Sequence, residues 1–198
     1  ESDAARRVLY IPDSCFYLVG YSNSFGSGDF DAYLVKTDLF GNLLWEKTYG
    51  TSAWERIHDA VITSDSSIIM VGETQPLNGN LPDMYIVKVN QYGDTMWTKT
   101  IGGSGDDIAK SIIPINDTSF LISGQKYLED SLTSKGTILC LDLSGNIIWT
   151  KFFGNQKGPY SIHDIALGAN TNVYFAGARH VSDFNYDDYN GKADINGN

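Results

Sequence analysis

Apolar and β-branched residues along this chain come in bursts of six to eight, each closed off by Gly, Pro, Asn, Asp or Ser. None carries the 3.6-residue rhythm of a helix, so the pattern predicts short strands joined by turns. Four such strands open the chain: Arg6 to Ile11, Phe16 to Tyr21, Asp31 to Asp38 and Leu43 to Thr48. The same four follow as "IHDAVIT", "SIIMVGE", "DMYIVKVN" and "TMWTKT", and again as "IAKSIIPI", "SFLISGQ", "GTILCLDL" and "NIIWTK".

The recurrence is periodic. "TDLFGNLLWEKTYG" at 37–50 returns as "VNQYGDTMWTKTIG" at 89–102 and "LDLSGNIIWTKFFG" at 141–154. Trp45, Trp97 and Trp149 are 52 residues apart, Gly41, Gly93 and Gly145 keep that step, and Gly20, Gly72, Gly124 and Gly177 follow at 52, 52 and 53. A period of roughly 50 residues built from four strands is the signature of a β-propeller blade. A lone four-stranded sheet cannot cover both its faces, so each copy must repeat the instruction to stack on the next. The expectation is an all-β chain of about three and a half blades: 1–53, 54–105, 106–158 and a partial fourth at 159–198.

Within each blade, "FGN", "YGD" and "SGN" predict hairpin turns in which Gly supplies a positive φ. The Trp that follows is expected to seal one blade against its neighbour, with Lys47, Lys99 or Lys151 laying its stem along the ring. An acid and a base three residues apart open each full unit (Asp3 with Arg6, Glu55 with His58, Asp107 with Lys110), and His163 keeps the basic place in the fourth. Histidine interchanges there with Arg and Lys, which argues against a metal or general-base role and for a charge pin at the strand entrance. The fourth unit gives "IHDIAL" and "NVYFAGA" and is then expected to dissolve into an acidic, Asn/Asp-rich tail. Three and a half blades do not close a ring, so further blades are expected from neighbouring sequence of a longer polypeptide.

Composition narrows the function. A formal charge of −10, from 24 acidic and 14 basic residues, disfavours nucleic acid and anionic membrane as partners. No apolar run approaches the ~18 residues of a membrane span, and "ESDAARRVLY" lacks the regions of a signal peptide. Cys15 and Cys140 occupy non-equivalent places in the repeat and are expected to be small buried hydrophobes. "GGSGDDIAKS" mimics a phosphate loop, but Ala109 stands where Gly must precede Lys, and its repeat counterpart "GTSAWERIHD" has no such pattern. No nucleophile elbow or triad is present.

Candidate ligand residues therefore come from the loops. The second-to-third-strand and interblade loops emerge on one side, and they are long and divergent: "SNSFGSGDF", "TQPLNGNLP", "KYLEDSLTSK", "GTSAW" and "GNQKGPY". That face supplies Asp29, Asp31, Trp54, Asn78, Asn80, Asp83, Glu129 and Asp130 as candidates for binding a glycan or protein; loops that merely tolerate insertion are the competing reading. Asp183, Asn185 and Asp187 alternate as in a calcium loop and are the candidate Ca²⁺ ligands, although Asp188 stands where an EF-hand needs Gly. A solvated loop is the alternative, and no other cofactor is expected.

"GDFDAYLVKTDLFGNLLWEKTYG" followed by "ERIHDAVITSDSSIIMVGET" resembles the tandem β-propeller repeats of secreted and surface proteins of Bacteroidota, many exported by type IX secretion. The likeness runs to about residue 180 and implies a large extracellular or outer-surface protein. "TDLFGNLLWEKTYG" is more loosely similar to the blade motif of quinoprotein-like propellers; there the likeness is structural and implies no quinone. Together these readings predict a non-enzymatic interaction or adhesion module. A polysaccharide-active enzyme with a carboxylate pair and a purely structural spacer are the alternatives.

Overall fold

In the first sheet Cys15, Tyr17 and Val19 point inward while Phe16 and Leu18 are only half buried, the period-2 alternation that makes this sequence a strand covered mainly on one face. The computed structural model describes residues 2–78, 80–154, 158–182 and 185–197. They form two compact units, residues 1–100 and 101–198. The first unit holds one sheet of β1 (Asp3–Ile11), β2 (Cys15–Ser22), β3 (Asp31–Thr37) and β4 (Leu43–Tyr49), and a second of β5 (Trp54–Ile62), β6 (Ile68–Gln75), β7 (Asp83–Val89) and β8 (Thr95–Ile101). The second unit holds β9 (Ile108–Asn116), β10 (Ser119–Leu128), β11 (Thr133–Asp142) and β12 (Ile147–Phe153), then a three-stranded sheet of β13 (Tyr160–Leu167), β14 (Asn172–Ser182) and β15 (Asn185–Asp194). Strands neighbour one another in chain order within every sheet, so each sheet is a meander and each meander a propeller blade.

Within each unit one blade packs face to face on the next. Val19 and Leu34 meet Ile57, Met70 and Val87 in the first unit, and Leu121 and Ile138 meet Ile162 and Phe175 in the second. Each side chain of this size contributes roughly 1.5–3 kcal/mol when fully buried.

The recurring Gly of the second strand answers a β-bulge in the first. Pairing skips Arg6, His58, Lys110 and His163. Opposite each bulge a Cβ on Gly20, Gly72, Gly124 or Gly177 would stand 1.8 to 2.0 Å from a carbonyl oxygen, so only Gly fits. The bulge also revises the acid–base column. In the first two blades the two members do not meet: Arg6 donates to the Tyr21 hydroxyl (2.9 Å) while Asp3 accepts from Ser24 (3.0 Å) and Ser22. His58 faces Glu73 at 3.6 Å while Glu55 is bound elsewhere. A bulge turns its residue off the regular pleat, so the three-residue spacing no longer places both side chains together.

The turn before each fourth strand is built alike, and within the first unit it joins the two blades. Asp38, Asn90 and Asp142 each accept two backbone N–H bonds of 2.8 to 2.9 Å through Oδ1, and Gly41, Gly93 and Gly145 take φ of 85°, 78° and 74°. The first blade grips the turn of the second. Trp45 lies so close to Gly93 that a Cβ there would stand 2.9 Å from Cη2. Lys47 Nζ donates to the Tyr92 carbonyl and to Asp94, both at 2.9 Å, and Tyr49 donates to the Gly93 carbonyl at 2.8 Å. Burial and the Asp94 charge push the Tyr49 phenol well above its usual range, which keeps it a donor.

Past residue 177 the chain does not become a loose tail. β14 continues to Ser182 and β15 pairs along it from Asn185 to Asp194. A fourth copy of the turn then follows: Asp194 Oδ1 accepts from the Asn196 N–H at 2.8 Å and Gly197 has φ 79°. Trp149 and Lys151 rest on Gly197 as Trp45 and Lys47 rest on Gly93. Both cysteines are free and buried, and no helix among the described residues is long and apolar enough to cross a membrane.

Candidate functional site

An open cleft of about 840 Å³ lies in the first unit, lined by the interblade loop 50–53, the loop after β6, ends of β4 to β7 and the length of β8. Its walls carry hydroxyls from Thr51, Thr74, Thr98 and Thr100, the rings of Tyr49 and Tyr85, and the carboxylates of Glu55 and Asp83. The interblade loop is fixed from within. Glu55 accepts the Thr51 N–H (3.1 Å), the Thr51 hydroxyl (3.0 Å) and the Thr74 hydroxyl (2.9 Å), while Thr51 Oγ1 accepts the Ala53 N–H at 3.0 Å. Asn78 folds its own loop by accepting the Asn80 N–H at 3.1 Å.

Burial, followed by the charges of Glu55 and Asp31, pushes the Tyr85 phenol up to about 12. It is therefore protonated at neutral pH, a donor beside acceptors. No Lys, Arg or His is among the lining residues. An anionic ligand would meet two carboxylates and no counter-charge; hydroxyl groups of a neutral polymer would meet both donors and acceptors.

The residues expected from the loops divide into three sets. Asn78 and Asp83 line the cleft; Asn80 is exposed beside it and gives its carbonyl to Gln75 Nε2 at 3.4 Å. Asp29, Asp31 and Trp54 belong instead to the junction of the first two blades. Asp29 accepts the Trp54 indole N–H at 3.0 Å, and Phe30 bridges to Trp54 through the backbone. The Arg56 guanidinium then sits 4.7 Å over Phe30, 5.1 Å over Trp54 and 5.8 Å over Tyr21, filling that aromatic box from within. Asp31 is 1% exposed and holds the loop N–H groups of Ser27 (2.8 Å) and Gly28 (3.1 Å) through Oδ2. Glu129 and Asp130 are exposed at the β10–β11 turn of the second unit.

Among the calcium candidates, Asp183 lies outside the described residues. Asn185 opens β15, and Asp187 on that strand faces Arg179 at 3.9 Å. Among the described residues no group of three or more His, Cys, Asp or Glu side chains is placed to hold a metal. The sequence reading missed Glu55, Thr51, Thr74 and Tyr85. Each stands alone on a different segment, and only Glu55 carried a signal, as one member of the recurring acid column.

No family model matches the chain, and no curated protein matches it. Among solved structures it is similar to a GH43 endo-arabinanase from Bacillus licheniformis, at 13% identity and a TM-score of 0.49, over 96% of this chain and 73% of that one.

Proposed function

We propose that this protein is a non-enzymatic, extracellular or cell-surface β-propeller module that binds a neutral glycan in the cleft of its first unit. The observation that carries the reading is the lining: hydroxyls, two carboxylates and two tyrosine rings without a basic side chain, in a volume within the roughly 300–1,000 Å³ of ordinary ligand sites. The Asp83 carboxylate and the exposed Thr98 and Thr100 hydroxyls suit contacts to sugar hydroxyls. A glycoside-hydrolysing reading would need both carboxylates of a pair available to the substrate, but Glu55 is committed to three hydrogen bonds. Further blades, supplied by neighbouring sequence, complete the ring in this reading. The resemblance of the repeat supports the extracellular setting.

A panel of neutral and acidic polysaccharides, screened by affinity electrophoresis and calorimetry, tests it. Neutral glycans are expected to bind, and Asp83→Ala to weaken them about tenfold, the cost of roughly 1.4 kcal/mol for one charge-assisted contact. Glu129→Ala and Asp130→Ala are expected to leave affinity unchanged. Binding confined to acidic polymers, or insensitivity to Asp83→Ala with loss on Glu129→Ala, would sink the reading.

A further inference from the structure

Two buried carboxylates come together at the first blade junction, and among the described residues neither is in an ion pair. Asp31 and Glu55 are each 1% exposed. They converge on Gly50, where a methyl group would stand 1.9 Å from Asp31 Oδ1 and 2.6 Å from Glu55 Oε2. Gly50 has no left-handed φ that would demand glycine, so the residue is there for the room it leaves. The two acids are not equally satisfied. Glu55 uses both oxygens, and Asp31 uses Oδ2, but Asp31 Oδ1 is buried, has no hydrogen-bond partner among the described residues and borders the same space beside Gly50 as Glu55 Oε2. A buried, unpartnered carboxylate oxygen facing a second carboxylate is costly unless something positive sits between them.

The repeat offers an internal comparison. The positions equivalent to Asp31, Gly50 and Glu55 in the second unit are Lys135, Gly154 and Tyr160. There Lys135, 6% exposed, sets its ammonium 5.6 Å over the Tyr160 ring. Where the junction lacks the acids, the chain brings its own cation to the same address.

We infer that Asp31 and Glu55 form a binding site for a hard divalent cation, calcium, lodged at the blade junction beside Gly50. Two carboxylates balance a double charge. The rest of a six- to eight-oxygen shell would come from neutral oxygens, hydroxyls, backbone carbonyls and water, as calcium accepts. With only two anionic ligands the affinity should be that of extracellular modules, about 0.1–1 mM. The site shares Glu55 and Gly50 with the cleft wall, but Asp31 is not among the cleft-lining residues and Asp83 is not part of the cation pair, so the Asp31 and Asp83 variants let either reading fail without the other.

The full chain is dialysed against a chelator and titrated with terbium, whose luminescence would be sensitised by nearby Tyr85, and with calcium while unfolding is followed. Wild type is expected to show saturable luminescence, displaced by calcium, and a melting temperature raised by roughly 3–10 °C at about 10 mM calcium. Asp31→Asn should lose both responses. Asp31→Lys, which imports the second junction's solution, should also lose them, yet melt near calcium-loaded wild type. Asp187→Asn should retain both. The proposal is overturned if wild type ignores both ions, if Asp31→Asn still responds, or if Asp187→Asn abolishes the response.

Discussion

At the first unit's blade junction Gly50 is flanked by two acids; at the second unit's, 104 residues on, Gly154 is flanked by Tyr160, with Lys135 over its ring. The surroundings are otherwise alike. Trp45 and Trp149 each rest on the glycine of the next blade's turn, and each first strand is bulged opposite a glycine. What is copied between the units is packing, and what varies is charge. Packing tolerates little change because two faces must fit at once, whereas a buried charge needs only a partner of opposite sign, wherever that comes from. Chemistry in this chain is therefore to be sought where the copies disagree.

The strongest test of the shared half is Trp45→Ala set against Trp149→Ala. Both should cost about 3 kcal/mol, the lower end for truncating a packed Trp, because each removes the cover from a neighbouring turn. Guanidinium unfolding monitored for each unit would show it. A cost under ~1 kcal/mol at one site would mean the units are not built alike.

Gly50→Ala should cost about 1–2 kcal/mol through crowding against Asp31 and Glu55. In an Asp31→Ala background most of that cost should vanish, a coupling a double-mutant cycle would read. Gly154→Ala should cost at least as much, because its φ of 110° adds to crowding against the Tyr160 ring, and truncating Tyr160 should relieve only the crowding and leave the backbone part.

The smallest expected effect concerns another address where the copies differ: Lys88 in the second blade corresponds to the uncharged Cys140 in the third. Lys88 Nζ reaches Asp65 at 2.8 Å. Burial works to raise the Asp65 carboxyl, but bonds from Lys88, Thr63 and Ser67 outweigh it and hold it well below the usual carboxylate range. A depressed folded-state value stabilises above the ordinary value of 3.8 and is lost as pH falls beneath it. The stability gap between wild type and Asp65→Asn should therefore close between about pH 5 and pH 2. A gap that widened on acidification would reverse the assignment.

Much of the architecture was legible because β-strands announce themselves locally. Runs such as "SIIMVGE" and turns such as Asn90 to Gly93 fall within a few residues of the observed β6 and its later turn. β15 was not legible: "NYDDYNGKAD" contains few strand-forming residues, and it is ordered by pairing along β14 rather than by its own propensity. Gly197 stands 52 residues after Gly145, so its spacing alone marks the fourth turn. The site was less legible still. Asp31 reads as one more loop carboxylate, and nothing local shows that its oxygen is buried against Glu55, a contact closed only when two blades pack. The better signal lay across copies, where Asp31 and Glu55 become Lys135 and Tyr160 together.

The grip of Trp, Lys and Tyr on the following turn has a further consequence. Its two halves are carried on different copies within each unit, and the sequence of both, the Trp-x-Lys of a hook and the Gly turn of an eye, recurs in each of the first three blades. Such a coupling has a direction, like carriages in a train. A duplicated copy arrives already able to seize its successor and be seized by its predecessor, and lengthening the series requires no new joint to be invented.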